Sequence, residues 1–90
     1  MASASQNLRT RRDASVRNAI LRVLPTEGEG MTHGQLIRAV RPLLPLALFP
    51  QERTVRWYTR TVQHDLEARR IVRRVSPRSL RLLRSLPDAC

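Results

Sequence analysis

Residues 51–84 read QERTVRWYTRTVQHDLEARRIVRRVSPRSLRLLR, and their apolar side chains follow two different spacings. Up to about Arg70 these side chains recur every three or four residues, as on a helix with one buried face. The residues of that face are Val55, Tyr58 or Thr59, Val62 and Leu66. Two short runs rich in branched and apolar residues then flank Ser76-Pro77-Arg78-Ser79, a sequence typical of a turn. The stretch therefore predicts one long helix at 51–70 and a β-hairpin at 71–84.

Two shorter helices are predicted upstream of this stretch. Apolar residues recur at helical spacing between Asp13 and Leu24, and Pro25 prevents that helix from continuing. A second helix is expected to begin at Thr32, because Thr32 and Gln35 fit the capping box, in which each side chain satisfies the other's backbone N–H.

Residues 42–50, between the second and third predicted helices, read PLLPLALFP. The three prolines argue against a continuous helix, and the five large apolar side chains argue against a free loop. We expect a packed turn whose Leu46 and Phe49 fill the core, because a small domain needs every side chain that it can bury.

The order helix, helix, longer helix, hairpin is that of a winged helix-turn-helix domain. The predicted fold class is mainly α (α+β), with three helices and a C-terminal two-stranded β-wing. We place the domain at residues 13–84, after a flexible basic arm at 1–12 and before a short tail at 85–90.

Two stretches carry a resemblance to known families. Residues 62–74, VQHDLEARRIVRR, resemble the end of the recognition helix in winged-helix regulators. Arg70 stands where those regulators usually have glycine, so either a non-glycine residue adopts a left-handed turn there or the helix ends differently. Residues 13–84 also look like a group of small uncharacterised bacterial winged-helix proteins. That likeness is carried by MTHGQL (31–36), LFP (48–50), Trp57-Tyr58 and DLEA (65–68), and it implies a fold without an assigned activity.

The charge of the chain favours a polyanionic partner. All 17 basic residues are arginine, against seven acidic residues, and the net charge is +10. Residues 51–84 hold ten arginines against Glu52, Asp65 and Glu67, a net charge of +7. Nucleic acid is the leading candidate over acidic proteins or anionic membranes.

The resemblance implies that the first half of the third helix enters the major groove of duplex DNA and that the wing reaches the backbone or the minor groove. Arginine can pair with guanine and glutamine with adenine, so such a helix could read sequence, whereas the alternative is an ordinary solvated charged face. Tyr58 is expected nearer the core and Trp57 at its boundary. The residues expected to bind DNA are Arg53, Arg56, Trp57, Thr59, Arg60, Gln63, Arg74 and Arg78. The arginines expected to line the wing are Arg73, Arg74, Arg78, Arg81 and Arg84.

We expect no catalytic site, no metal and no cofactor, and therefore no enzyme. The only cysteine is Cys90, so no cysteine completes a zinc ligand set with His33 or His64, and no nucleophile stands in a convergent arrangement with a base. Arginines interrupt every apolar run before it could cross a bilayer, and the N-terminus lacks the apolar segment of a secretory signal. We expect a cytoplasmic protein at the nucleoid, without a membrane partner.

The predicted function is binding of nucleic acid, specifically duplex DNA, by a transcriptional regulator or a nucleoid-associated factor. The alternative is a protein-interaction module that docks on an acidic partner, and RNA binding ranks third. Because one small domain covers only about 600–1,000 Å² of DNA, useful specificity would require a homodimer or a protein partner.

Overall fold

Three helices followed by an antiparallel hairpin form the described part of the chain, which confirms the predicted fold class. The computed structural model describes residues 4–82. Its elements are α1 (Ala4–Val23), β1 (Met31–Thr32), α2 (His33–Val40), a 3-10 turn (Arg41–Leu43), α3 (Glu52–Ala68), β2 (Val72–Ser76) and β3 (Ser79–Leu82). Arg84 and the predicted tail at 85–90 lie outside the described residues.

All three helices contribute to one apolar core. The predicted inward face of α3 is confirmed, and Tyr58 and Thr59 both belong to it. α1 and α2 each add a stripe at helical spacing, and the hairpin closes the core with Val72 and Leu80. The buried side chains of the helices are Val16, Ala19 and Ile20 from α1, Leu36, Ile37 and Val40 from α2, and Val55, Tyr58, Thr59, Val62, Gln63 and Leu66 from α3.

α1 begins at Ala4, whereas we expected a flexible arm over residues 1–12 and a helix that starts near Asp13. Residues 4–12 are therefore helical in the structure. Leu8 packs against the core, and Arg12 Nε donates a hydrogen bond of 2.7 Å to the carbonyl oxygen of Leu48. These contacts are made by one leucine and one arginine. Because the two residues do not form a periodic apolar pattern, the sequence did not indicate that this segment is helical.

The turn between α2 and α3 is packed, as predicted, but the prediction that Leu46 fills the core is wrong. Phe49 is buried, whereas Leu46 is 79% exposed and Leu48 is buried in its place. The N–H groups of Leu48 and Phe49 both donate to the carbonyl oxygen of Pro45, at 3.0 and 3.1 Å. This tight turn directs residues 48 and 49 inward and leaves Leu46 on its outer side.

The hairpin belongs to a three-stranded antiparallel sheet in the order β1-β3-β2, and β1 was not predicted. Met31 pairs with Leu80 and Thr32 with Ser79, so the central strand joins the hairpin to the start of α2. Gly30, with φ +81°, precedes β1, and a Cβ built there would lie 2.4 Å from the carbonyl oxygen of Leu80. Only glycine permits this close approach of the two backbones.

α3 ends in a left-handed turn at a non-glycine residue, one of the two outcomes that the sequence left open. Arg70 has φ 63°. Its N–H donates to the carbonyl oxygen of Glu67 at 3.0 Å, and the N–H of Ile71 donates to that of Leu66 at 2.9 Å. This pair of bonds is the Schellman motif, which satisfies the last carbonyl groups of the helix and turns the chain into β2.

Candidate nucleic-acid interface

The exposed face of α3 carries three arginines at helical spacing. Arg53, Arg56 and Arg60 are all exposed, and intervals of three and four residues place them on one side of the helix. Among residues 4–82, Arg53 and Arg60 have no carboxylate partner. Arg56 Nε lies 3.5 Å from Glu52 Oε2, a carboxylate that Arg41 also contacts. Positive charge on this face is therefore only partly offset.

Trp57 lies on the same exposed face, with 58% of its surface accessible, and Tyr58 is buried, as expected from their adjacent positions. The two rings meet edge to face, with their centroids 4.9 Å apart. Tyr58 thereby holds an exposed indole ring between arginines.

Thr59 and Gln63 were expected to contact DNA, and both side chains are buried in the structure. Thr59 is 0% exposed, and its hydroxyl donates a hydrogen bond of 2.7 Å to the carbonyl oxygen of Val55. Gln63 is 3% exposed. Both side chains face the rest of the domain, and Gln63 also lines a cleft beside the wing.

Gln63 instead belongs to a chain of hydrogen bonds that runs from α2 to the wing. His33 Nδ1 and Gln63 Oε1 lie 2.7 Å apart, and Gln63 Nε2 donates to Glu67 Oε2 at 3.0 Å. Arg74 Nη2 lies 3.2 Å from the same Glu67 oxygen, and Arg74 Nη1 donates to the carbonyl oxygen of Pro77 at 3.0 Å. Arg74 is exposed, but both ends of its guanidinium group are engaged within the protein, so it holds the wing in position.

The tip of the wing presents a different arginine. Pro77 and Arg78 form the turn between β2 and β3, and Arg78 is exposed without a carboxylate partner in the 4–82 region. Arg81, by contrast, donates to the carbonyl oxygen of Gly28 at 3.1 Å. Arg73 pairs with Arg81 across the two strands.

His33 joins the face of α3 to the wing. One cleft of about 530 Å³, the α2–α3 cleft, is lined by His33, Ile37, Glu52, Arg53, Arg56, Trp57 and Arg60. A second cleft is lined by Thr32, His33, Gly34, Gln63, Arg74, Pro77, Arg78 and Leu80. His33 therefore borders both the cleft on the exposed side of α3 and the cleft at the wing tip. Sequence reasoning considered His33 only as a metal ligand, although the capping box at Thr32 had already placed it at the first position of α2.

The sequence model of a family of unknown function, DUF6958, matches residues 3–82. The chain belongs to the DUF6958 family. Neither the curated proteins nor the solved structures include a match to it.

The DUF6958 match extends over every helix and strand described above. The arginine face of α3 and the wing tip therefore lie within the family's own domain. The DUF6958 family has no assigned activity.

The described part of the DUF6958 domain contains no group of three or more histidine, cysteine, aspartate or glutamate side chains that could hold a metal ion. Between residues 4 and 82, no helix has the length and apolar content required to cross a membrane.

Proposed function

We propose that this protein binds duplex DNA through the exposed face of α3 and the wing, without catalysing a reaction. The observation that carries the proposal is the alignment of Arg53, Arg56 and Arg60 on one exposed side of α3. Arg78 adds an exposed arginine at the wing tip, with no carboxylate partner among residues 4–82. The element order, and the resemblance of residues 62–74 to winged-helix regulators, support it. A regulatory or nucleoid-associated role, in the cytoplasm at the nucleoid, completes the proposal.

The proposed mode of binding places α3 in the major groove, which is wide enough to admit a helix. Arg56 and Arg60 would donate to guanine edges or to phosphates, and Arg53 to the flanking backbone. The contact between Arg56 and Glu52 is exposed at both partners, so its small stabilisation would not prevent Arg56 from turning toward DNA. Arg78 would reach a phosphate or the minor groove from the wing tip.

The fixed wing supports this arrangement. Since Arg74 bonds to Glu67 and to the turn at Pro77, the hairpin is tied to α3. Arg78 is then presented at a set position relative to Arg60. A surface organised before binding loses less conformational freedom when the complex forms.

Binding by one such domain covers a limited area of DNA, about 600–1,000 Å². Sequence-independent contacts with phosphates would then supply much of the affinity, and a second copy or a protein partner would be needed for strong sequence selection.

A matched pair of double variants tests the proposal. Arg56→Ala with Arg60→Ala removes two arginines from the α3 face, whereas Arg11→Ala with Arg22→Ala removes two exposed arginines from α1. Both changes lower the net charge from +10 to +8. We expect the α3 variant to bind a random-sequence duplex at least about tenfold more weakly, and the α1 variant to stay within about threefold of the unmodified protein.

The measurement is a gel-shift titration at two salt concentrations, with circular dichroism to check folding. We also expect the log–log salt slope to become shallower by about one to two units in the α3 variant, since each lost phosphate contact accounts for about 0.9. Equal weakening in both variants would show that charge alone matters. Failure of micromolar protein to shift any duplex would favour an acidic protein partner, and preference for structured RNA in competition would favour RNA.

A further inference from the structure

Another basic cleft lies between α1 and α3. It is lined by Arg9, Arg12, Arg53, Thr54, Trp57 and Tyr58, and has a volume of about 310 Å³. We call it the α1–α3 cleft. This volume is at the lower end of the range for small-ligand sites, about 300–1,000 Å³. Arg53 and Trp57 border both this cleft and the α2–α3 cleft.

The charge in the α1–α3 cleft is uncompensated. Three arginines line it and no acidic residue does, and within residues 4–82 none of the three has a carboxylate partner. Arg12 is half-buried, bonded to the carbonyl oxygen of Leu48 and 5.9 Å from the ring centres of both Phe49 and Tyr58. These contacts hold the cation without neutralising it. The α2–α3 cleft, in contrast, contains Glu52.

The cleft also offers an aromatic surface. Trp57 is more than half exposed, and Tyr58 supports it edge to face. Tyr58 in turn meets Phe49 edge to face, with centroids 5.9 Å apart, so two buried aromatic rings lie behind the exposed indole. An exposed aromatic ring among arginines is the combination that binds unpaired bases, because the ring stacks on the base and the cations pair with the phosphates.

We propose that the α1–α3 cleft binds an unpaired nucleotide, with its base stacked on Trp57 and its phosphate held by Arg9 and Arg53. This inference rests on the proposed function, because the unpaired nucleotide would belong to a strand of the duplex that binds α3. The preferred ligand is then a duplex with a single-stranded end rather than a blunt duplex.

Trp57 is the only tryptophan, so its fluorescence reports on the cleft directly. The test compares one duplex in three forms: blunt, with a three-thymidine overhang, and with an overhang of three abasic sites. We expect the thymidine overhang to quench Trp57 beyond the level seen with the abasic overhang. We also expect the duplex with the thymidine overhang to bind about tenfold more tightly than the duplex with the abasic overhang. This ratio corresponds to about 1.4 kcal/mol of stacking.

Variants separate the roles of ring and charge. Trp57→Leu is expected to abolish the preference for thymidine over abasic overhangs, and Trp57→Phe to retain most of it, with labelled DNA as the probe. Arg9→Ala is expected to weaken binding of the thymidine overhang about fivefold and to leave blunt-duplex binding unchanged. Arg11→Ala is the matched control, since it removes the same charge from the same helix outside the cleft.

Equal affinity for the two overhangs, together with equal Trp57 emission in both complexes, would overturn the inference. If the blunt duplex still binds in that case, the inference fails alone, and if no form of the duplex binds, the proposed function fails with it. Quenching of Trp57 by a glutamate-rich peptide, and not by any oligonucleotide, would assign the cleft to an acidic protein instead.

Discussion

At the scale of single residues, two glycines of one loop have the same backbone conformation and different surroundings. Gly28 and Gly30 have φ values of +85° and +81°. A Cβ at Gly28 would meet no atom within 4 Å, whereas a Cβ at Gly30 would overlap the backbone of Leu80. A side chain would therefore strain the backbone at both positions, but it would clash with neighbouring atoms only at Gly30.

This difference predicts two unequal losses of stability. Gly28→Ala is expected to lower the free energy of unfolding by about 1 kcal/mol, the cost of a left-handed alanine. Gly30→Ala is expected to lower it by about 3 kcal/mol, since overpacking adds about 1–3 kcal/mol and the obstacle is backbone rather than a flexible side chain. Urea denaturation followed by circular dichroism measures both. Similar losses in the two variants would mean that β1 does not approach β3 as closely as described.

At the scale of elements, the end of α3 determines where the wing begins. Arg69 caps the helix with ordinary negative φ, and its guanidinium group bonds to Asp65 at 2.9 Å. Arg70 occupies the left-handed position of the Schellman motif, where a side chain adds strain. Arg69 therefore stabilises the end of α3, whereas the side chain of Arg70 destabilises it.

The two positions give a paired prediction. Arg70→Gly is expected to raise the free energy of unfolding by about 0.5 kcal/mol, because relief of about 1–2 kcal/mol of strain exceeds the added entropy of the unfolded chain. Arg69→Gly removes the same charge and adds the same unfolded-state entropy without relieving strain, so we expect a loss of about 1 kcal/mol. Thermal denaturation at matched ionic strength distinguishes the two. Destabilisation by Arg70→Gly would contradict the left-handed assignment.

The elements that could be predicted are those whose own residues carry a local signal, such as a periodic apolar pattern or a capping box. α3 and the hairpin follow from residues 51–84, and α2 from its capping box, because these signals are local. β1 has only two residues, and its pairing with Leu80 depends on the fold around it. The start of α1 was missed because Arg12 packs on aromatic rings instead of an apolar stripe.

For the residues of the candidate site, the sequence predicts solvent exposure only in part. Arg53, Arg56, Arg60 and Arg78 are exposed, as expected. Thr59 and Gln63 lie at the edge of the apolar stripe, where helical spacing alone does not decide burial. Contacts made by other elements settle it, such as the bond between His33 and Gln63.

At the scale of the whole molecule, repulsion among arginines opposes folding. The net charge is +10 on 90 residues. The five ion pairs formed within residues 4–82 involve partly exposed side chains, and such pairs contribute little each. We therefore expect repulsion among the arginines, and not the loss of ion pairs, to determine how salt changes the stability of the free protein.

We expect sodium chloride to stabilise the free protein while it weakens the proposed complex with DNA. Raising the salt concentration from about 20 to 200 mM shortens the Debye length from about 20 to below 10 Å and screens the repulsion. The midpoint of thermal unfolding is expected to rise by a few degrees, on the order of 1 kcal/mol for a domain of this size. Differential scanning calorimetry without DNA provides the measurement, and Arg11→Ala with Arg22→Ala is expected to reduce the rise. A midpoint that falls with salt would show that the ion pairs dominate.

The chain of bonds from His33 through Gln63, Glu67 and Arg74 to Pro77 has a further consequence. It crosses from α2 to α3 and on to the wing turn, so the angle between helix and hairpin is set by side chains that are already satisfied. A partner whose shape does not fit that angle would have to break one of these bonds before it could contact both α3 and the wing. If DNA binds as proposed, the domain is therefore expected to select partners by shape, independently of base identity and of total charge.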